Sequence, residues 1–461
     1  MNQKKFNNLA YINPDDFIYG CSKIPVKFKN GMIIGGGAIY PELNFTLPPM
    51  EVSKETMPEI VKQYREIIED ACKRAKELYV PAFVAEIELL PPMTYNPEWG
   101  IEVTKVVREV MHEYEAKYNL KSVLRITPVD IREDKQSPHM WHGSHWDAIM
   151  RTFEGCAEAG ADMLSIESIG GKDMHDDAVM FCEIDKSLFS LGILGTRDMS
   201  RLWSEISKIA DRTGTVAAGD TACGFANTAM VLAERGFIPR DFAAVVRVIS
   251  AVRSLVAIEE GATGPHKDCG YEGVYVKAIT GTPISMEGKS SACAHLSPVG
   301  NIAACVADLW SNESVQNIKL LGGMAPTVSM EQLTYDCRLM NTAAESGKDN
   351  ALLLRNWLCE SDSKYDPQAY VLRPDVVIEI SKEIVKEDSH FKRSMAAAYA
   401  AISSLRTAVK EKKLIIDERE LSWLDNMESQ LDSIPDDEEK FTAEMLERDV
   451  SGKLDPKKYD L

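Results

Sequence analysis

The feature that most constrains how this chain can fold is a repeated order in which a helical stretch precedes a short apolar strand. Apolar residues recur with helical spacing over residues 53–78, and the apolar run over residues 80–89 is typical of a buried strand. Strands that alternate with helices and are apolar on both faces predict a parallel α/β sheet covered by helices. The order recurs, with helices predicted over residues 102–118 and 147–159 and strands over residues 122–127, 162–167 and 214–219.

Spacing alone does not decide between a closed barrel and an open doubly wound sheet, because both are built from strands that alternate with helices. A long apolar-striped helix is predicted over residues 242–260, and the positions of all eight strands of a barrel cannot be identified. The first fifty residues are irregular and rich in Pro, Gly and Asn. After residue 370 the pattern becomes helical and charged, with the clearest helices over residues 394–410 and 418–431.

The charge of the chain argues against a nucleic-acid partner. Its 461 residues include 52 Lys and Arg against 71 Asp and Glu, a formal net charge of −19 that would repel a phosphate backbone. The first eight residues contain lysines with no apolar run after them, so no secretory signal is predicted. No stretch reaches the ~18 uninterrupted apolar residues of a membrane span, so a cytoplasmic protein without membrane contact is expected.

The ten cysteines have no short regular spacing, which suits the reduced thiols of an intracellular enzyme better than a disulfide framework. Two of them, Cys223 and Cys269, have surroundings that single them out. The others are predicted to be buried structural thiols: Cys21, Cys72, Cys156, Cys182, Cys293, Cys305, Cys337 and Cys359.

Three potential metal ligands stand where a predicted strand ends or in a glycine-rich loop. Glu167 closes an apolar strand and precedes the sequence Ser-Ile-Gly-Gly. Cys223 comes four residues after the predicted strand that ends at Gly219, and Cys269 lies in the loop sequence Gly-Pro-His-Lys-Asp-Cys-Gly. In parallel α/β folds the active site is built from the carboxyl ends of strands and the loops that follow them.

One carboxylate and two thiolates suit Zn²⁺, which in catalytic sites takes three protein ligands and keeps a fourth position open. Glu167, Cys223 and Cys269 are too far apart in the sequence for a compact zinc finger, so such a site would have to assemble from distant loops. From the residues alone, two other interpretations stay open: buried thiols without a function, and a strand-end glutamate paired with a basic neighbour.

Four stretches of the chain closely resemble the zinc subunit of the methanol:corrinoid methyltransferase family, which serves methanol metabolism in methanogens and some anaerobic bacteria. They are the surroundings of Glu167, residues 219–225, residues 265–270 and the sequence Ile-Thr-Gly-Thr-Pro at residues 279–283. The resemblance is collinear over nearly the whole chain. It implies an α/β fold built on a (β/α)8 TIM-type barrel.

With a barrel at its centre, the chain divides into three predicted parts. The catalytic barrel is expected over residues 76–365. An irregular and helical N-terminal extension is expected over residues 1–75, and a helical, acidic C-terminal extension over residues 366–461.

The resemblance also implies one zinc ion per chain, held by Glu167, Cys223 and Cys269, and a corrinoid supplied by a partner protein. The implied reaction transfers the methyl group of methanol to the Co(I) of that corrinoid, as part of methanogenesis. The implied assembly is a heterotetramer in which this chain forms a homodimer within a dimer of heterodimers. Zinc that binds the alcohol oxygen in its open position would stabilise the charge that develops as the C–O bond breaks.

A zinc ion bound by two thiolates and a carboxylate carries a formal negative charge, so it is a weaker Lewis acid than zinc bound by three histidines. An acid or hydrogen-bond donor near the departing oxygen is therefore expected. Asp220, His266 and Asp268 are the candidates for this catalytic role because they lie close to the predicted ligands in the sequence. Their alternative role is to orient a ligand.

Three histidines close together, His139, His142 and His145, are the strongest local alternative as a metal site. Ser144, with Asp147 three residues later, resembles a capping box at the start of a helix, which makes the cluster a loop that leads into that helix. Such a loop could line the mouth that the substrate or the corrinoid uses.

Two other functions remain open. A zinc-dependent barrel hydrolase or lyase would use the same fold and metal, with zinc-bound water as the nucleophile. A non-catalytic assembly subunit would instead use its acidic, helical tail to recruit partners. Methylation of Co(I) cobalamin by methanol would exclude the first alternative, and stoichiometric zinc with two sulfur neighbours would argue against the second.

Overall fold

A computed structural model describes residues 5–46, 50–133, 137–288, 298–315, 319–321, 323–449 and 454–461. Its strands are β1 Cys21–Lys27, β2 Ile33–Gly36, β3 Tyr40–Thr46, β4 Ala82–Leu89, β5 Lys121–Pro128, β6 Met163–Ile166, β7 Val216–Asp220, β8 Ser285–Glu287, β9 Leu309–Val315, β10 Lys319–Leu320 and β11 Gly323–Met324. Its α-helices are α1 Met57–Glu77, α2 Pro91–Tyr95, α3 Pro97–Tyr118, α4 Ser144–Glu158, α5 Lys172–Phe181, α6 Ile184–Phe189, α7 Thr196–Thr213, α8 Thr228–Glu234, α9 Arg240–Glu259, α10 Gly273–Thr280, α11 Ala325–Glu345, α12 Lys348–Ser363, α13 Pro367–Tyr370, α14 Pro374–Lys386, α15 His390–Lys410, α16 Glu418–Asp432 and α17 Glu438–Arg448.

The centre of the fold is a curled sheet of seven parallel strands in the order β7-β6-β5-β4-β3-β9-β8. Parallel neighbours need long crossover connections, and the helices between the strands supply them. These helices pack side by side, with α1 against α3, α3 against α4 and α4 against α7. The parallel α/β class predicted from the alternation of helices and strands is confirmed.

The edge strands β7 and β8 are joined by the short segment that follows α9. Thr263 donates its backbone N–H to the Ala217 carbonyl of β7, at 2.8 Å. The backbone N–H of His266 donates to the Pro283 carbonyl at 3.1 Å, and the N–H of Ser285 in β8 donates to the His266 carbonyl at 3.0 Å. This closing segment, residues 263–266, therefore takes the eighth strand position between β7 and β8. The (β/α)8 barrel prediction is confirmed.

The hairpin β1–β2 covers the amino end of the barrel. Its strands pair antiparallel, and its apolar side chains pack against residues near the amino ends of the barrel strands. The packing closes this end, so the carboxyl ends of the strands remain for a functional site. The shared cluster comprises Val26, Phe28, Met32, Ile34, Ala82, Val84, Val123, Met163, Ala218 and Leu309.

The division of the chain into three parts stays a prediction. β3 lies in the range assigned to the N-terminal extension, and it pairs with β4 and β9 in the central sheet. In the C-terminal part, α15 packs against α9, and α14 packs against α10 and α15. Both terminal parts thus contact the barrel directly.

The apolar helix α9 is buried on all sides. Its residues from Asp241 to Glu259 are all buried, and it contacts α7, α8, α10 and α15. A helix that is buried on every side by other helices belongs to the core of a large domain. Throughout the described ranges, no helix is long and apolar enough to span a membrane.

The helix predicted to begin with a capping box at Ser144 begins differently. Gly143 is the N-cap residue of α4, and the Ser144 side chain makes no capping hydrogen bond. Gly143 has φ +98°, a conformation that glycine adopts without strain, so the chain enters α4 by a turn and not by a capping side chain. The capping-box prediction is wrong, although the helix itself is present.

Candidate metal centre

The three predicted ligands meet at the carboxyl end of the barrel. Glu167 directly follows β6, Cys223 begins a π-helical turn that follows β7, and Cys269 lies in the loop between the closing segment and α10. One carboxylate oxygen of Glu167 and the two Sγ atoms all lie within 4.8 Å of one another. The Cys269 Sγ donates to Glu167 Oε1 at 3.2 Å. Residues from three distant parts of the sequence thus form one compact donor set.

Hydrogen bonds fasten the Cys223 loop to the Cys269 loop. Gly270 donates its backbone N–H to Thr221 Oγ1 at 2.9 Å, and Ala222 donates its N–H to Glu272 Oε1 at 2.7 Å. The Glu272 carboxylate is buried and also accepts from Ser254 Oγ at 2.6 Å. These bonds connect residues next to the two thiols, so the loops that carry the sulfur atoms are held together.

Asp220 holds the backbone beside Glu167. Its Oδ1 accepts from the backbone N–H of Ser168 at 3.2 Å, and its Oδ2 accepts from Trp203 Nε1 at 3.0 Å. Arg253 donates to the Ser168 carbonyl at 2.6 Å and lies 3.5 Å from Asp220. The carboxylate of Asp220 is therefore directed toward the helices that surround β7, and it fixes the turn that carries Glu167.

His266 is a buried, neutral packing group. Its Nδ1 lies 3.2 Å from the Asp220 carbonyl, and burial lowers its pKa to about 4. Its ring packs against Gly219, where an added Cβ would lie 2.7 Å from Nδ1. The ring thus contacts β7, and its described hydrogen bond is to backbone and not to a predicted ligand.

Asp268 belongs to a second group of acids inside the barrel. Oxygen atoms of Glu42, Glu86 and Asp268 lie within 4.8 Å of one another, and all three side chains are buried. Two cations already lie beside them: Arg125 Nε is 2.8 Å from Glu42, and Lys267 Nζ is 3.0 Å from Glu86 and 3.3 Å from Asp268. Each of these acids already contacts a protein cation, so we assign no metal to the group.

A cavity of about 450 Å³ opens beside the donor set, with Glu167 and Cys223 in its wall. The Glu167 side chain is 31% exposed, so the donor set can be reached from this cavity. Glu88 and Asn227 add polar groups to the wall, and Val231 adds apolar surface. The volume is near the lower end for small-molecule sites, which suits a small substrate.

Burial disfavours the ionised forms of the three donors. Burial raises the pKa of the Cys269 thiol well above its ordinary value, and Cys223 raises it further. The hydrogen bond with Cys269 lowers the pKa of Cys223, but burial and the Glu167 charge outweigh it and bring the pKa to about 12. Burial also raises the pKa of Glu167. Two thiols and a carboxyl in this setting fit a divalent cation that accepts sulfur and oxygen ligands.

The three histidines do not form a metal-binding group within the part of the chain that the structure describes. The rings of His139 and His142 stack with centroids 3.9 Å apart, and His145 lies in α4. His139 Nε2 is 3.1 Å from Asp460, near the end of the chain. The cluster is a loop that leads into a helix, as predicted, and its place at the mouth for substrate or corrinoid stays a prediction.

The cysteine predictions are largely confirmed. Every cysteine in the described ranges is free. Cys21 is exposed, so the prediction of a buried thiol is wrong there because β1 presents this residue at the surface, and Cys293 lies outside the described residues. Those confirmed as buried are Cys72, Cys156, Cys182, Cys305, Cys337 and Cys359.

Sequence reasoning missed Lys267 and Glu88, whose side chains lie 2.8 Å apart beside the donor set. The sequence does contain a sign of them. Glu86 and Glu88 are charged residues within a run that otherwise predicts a buried strand, and buried charges require partners of opposite charge. The lysine in the Cys269 loop is such a partner, but the sequence does not show that the two segments are neighbours.

Family models, known sequences and solved structures give concordant matches. The family model described as the methanol-cobalamin methyltransferase B subunit matches residues 3–460. A methanol–corrinoid protein co-methyltransferase from Methanosarcina barkeri is 41% identical over 452 residues, which make up 97% of this chain and 96% of that protein. A chain in the crystal structure of the methanol:cobalamin methyltransferase complex MtaBC from Methanosarcina barkeri matches with a TM-score of 0.94 and 39% identity, over 99% of this chain and 100% of that one. This chain therefore belongs to the methanol-cobalamin methyltransferase B subunit family.

Proposed function

We propose that this chain transfers the methyl group of methanol to the Co(I) of a corrinoid held by a partner protein, with one zinc ion bound by Glu167, Cys223 and Cys269. The observation that carries the proposal is the compact donor set of two sulfurs and one carboxylate oxygen beside a small cavity. Two thiolates and a carboxylate match a catalytic zinc site that keeps one position open. Methanol as the substrate and a corrinoid as the methyl acceptor are inferred from membership of the family.

The proposed partner and assembly follow the names of the matched proteins. The Methanosarcina barkeri relative is named for a corrinoid protein, and the matched crystal structure is of a complex. We infer a corrinoid-binding protein as the partner, and an assembly in which this chain forms a homodimer within a dimer of heterodimers. A cytoplasmic location and a role in methanogenesis belong to the same proposal.

The reaction is balanced without a further cofactor on this chain. The C–O bond of methanol breaks and a Co–C bond forms, with the electron pair supplied by Co(I), which becomes formally Co(III). The oxygen leaves as water after it accepts one proton. When bound, zinc supplies the Lewis acidity that stabilises the oxygen as it departs. The chain's own contribution is to hold the ligands and to admit methanol to the cavity.

The geometry favours an orienting role for the three residues first considered as acids. Asp220 holds the Ser168 backbone, His266 packs against β7, and Asp268 pairs with Lys267. Each supports a loop that carries a ligand, which is how groups around a metal's ligands commonly act. Groups of the cavity wall, including Glu88 and Asn227, are better placed to meet methanol.

The test replaces one proposed ligand and compares the variant with a matched control variant. C269A is expected to lose stoichiometric zinc and the methylation of added Co(I) cobalamin by methanol, because only two of three ligands remain. C337A removes a buried thiol of α11 and should keep both properties. Zinc-edge absorption of the wild type should show two sulfur neighbours. Full activity of C269A without bound zinc would refute the proposal, and a wild type that gives no methylcobalamin would favour a hydrolase or lyase.

A further inference from the structure

The ammonium of Lys267 meets four carboxylates at the mouth of the barrel. Its Nζ lies 2.8 Å from Glu88, 3.0 Å from Glu86, 3.2 Å from Glu167 and 3.3 Å from Asp268. The lysine side chain is 1% exposed, so water contributes little to its solvation. An ammonium has three protons to donate, so the four carboxylates share it and each contact depends on the others.

Lys267 connects two elements that each carry a proposed ligand. It belongs to the loop of Cys269, while Glu167 stands at the end of β6. Its ammonium contacts Glu167 Oε1, the same oxygen that accepts from the Cys269 Sγ. A glutamate side chain has several accessible rotamers, and this contact selects one that faces the thiols.

The charge of the donor set also calls for a neighbouring cation. Two thiolates and one carboxylate exceed the charge of a divalent ion by one, and a buried excess charge is costly unless it is paired. The Lys267 ammonium is 3.2 Å from Glu167 Oε1, so it contributes part of the compensating charge, which it shares among Glu86, Glu88, Glu167 and Asp268. Glu86 and Asp268, which also contact the ammonium, help to hold it in place.

We propose that Lys267 is a positioning residue of the metal centre, whose ammonium orients the Glu167 carboxylate toward Cys223 and Cys269 and offsets part of the charge of the ligand set. This inference rests on the proposed function, because it takes those three residues as ligands. A compact ammonium suits contacts in several directions, whereas the planar guanidinium of arginine favours a carboxylate in its own plane.

The test measures zinc affinity, which a merely structural lysine would not change. Metal-free K267M, K277M and wild type are titrated with Zn²⁺ against a competing chelator. Lys277 is a matched control, since it is a buried lysine of α10 whose Nζ lies 2.8 Å from Asp308. K267M should bind zinc ~10- to 100-fold more weakly than the wild type, the usual effect of removing a group that orients a ligand. K277M should bind zinc like the wild type.

A double variant keeps the test valid if K267M does not fold. K267M/E86Q removes the ammonium together with one of its buried partners, which costs less than leaving that carboxylate unpaired. Its reference is E86Q, in which Lys267 and Glu167 remain together. The double variant should bind zinc ~10- to 100-fold more weakly than E86Q. Equal affinities would overturn the role of Lys267. A wild type that binds no zinc through two sulfurs would instead overturn the proposed function, so the two failures are distinguishable.

Discussion

At the scale of single residues, Gly219 sets how closely the closing segment approaches β7. Its φ is +145°, and an added Cβ would lie 2.7 Å from Nδ1 of the His266 ring. The ring cannot move away freely, because it is buried and its Nδ1 is 3.2 Å from the Asp220 carbonyl. The absence of a side chain at Gly219 therefore lets the closing segment pack against β7.

G219A is expected to lower the free energy of unfolding by about 2–4 kcal/mol, from backbone strain and from overpacking against the ring. G236A is the control, since Gly236 also has positive φ, +74°, but no atom lies within 4 Å of an added Cβ. The free energy of unfolding of G236A should fall by about 1 kcal/mol, because only the backbone strain applies there. Urea denaturation of the metal-free variants measures both values. Equal losses of stability in the two variants would show that the close contact between Gly219 and the His266 ring does not matter.

Sequence proximity predicted the neighbourhood of the centre better than the direction of its side chains. Glu167, Cys223 and Cys269 do come together. Asp220 and His266 lie beside them but point to other partners, the Trp203 indole and the Asp220 carbonyl respectively. The direction of a side chain depends on the register of its segment in the barrel, and that register is a tertiary property.

At the scale of elements, periodicity located the strands and helices that are long and regular. The strands predicted at residues 80–89 and 122–127 are β4 and β5, and the helix predicted at residues 242–260 is α9. The closing segment at residues 263–266 is too short to show periodicity, and it contains Gly264 and Pro265, which usually mark turns. Its strand-like role comes from the neighbours that it joins.

The contact between α9 and α16 contains two carboxyl groups side by side. The backbone N–H of Asp241, in the first turn of α9, donates to Glu420 Oε2 of α16 at 3.1 Å. Burial, followed by the charge of Glu420, raises the pKa of Asp241 to about 8. The folded state therefore favours the protonated Asp241, which can share its proton with Glu420.

D241N should make the stability of the protein less dependent on pH. In the unfolded chain an aspartate titrates near ~3.9, so ionisation of Asp241 costs the wild type stability as the pH rises from about 4 to about 8. Asparagine cannot ionise, and its amide can donate to Glu420. The variant should have a higher Tm than the wild type at pH 9, and the difference should shrink toward zero near pH 4–5. A difference that stays constant across this range would contradict ionisation of Asp241 as its cause.

At the scale of the whole molecule, the two ends of the barrel have separate tasks. The amino end is filled by apolar side chains of the hairpin β1–β2 and of the barrel strands. The carboxyl end holds the donor set, the cavity and the charged network around Lys267. Apolar burial stabilises a fold without demanding exact positions for charges, whereas the polar end has to place charges closely and gains little net stability from doing so.

This separation predicts that packing at the amino end can be weakened without harm to the metal centre. Ile34 is 0% exposed inside the hairpin cluster, so I34A should lower the free energy of unfolding by about 2–5 kcal/mol. Its neighbour Ile33 is 39% exposed, and I33A should change stability by no more than about 0.5–1 kcal/mol. Both variants should bind zinc with wild-type affinity at temperatures where they are folded, because the hairpin contributes no ligand. Weakened zinc binding by folded I34A would show instead that the two ends are coupled through the strands, since the strands are the elements that reach from the apolar cluster to the ligands.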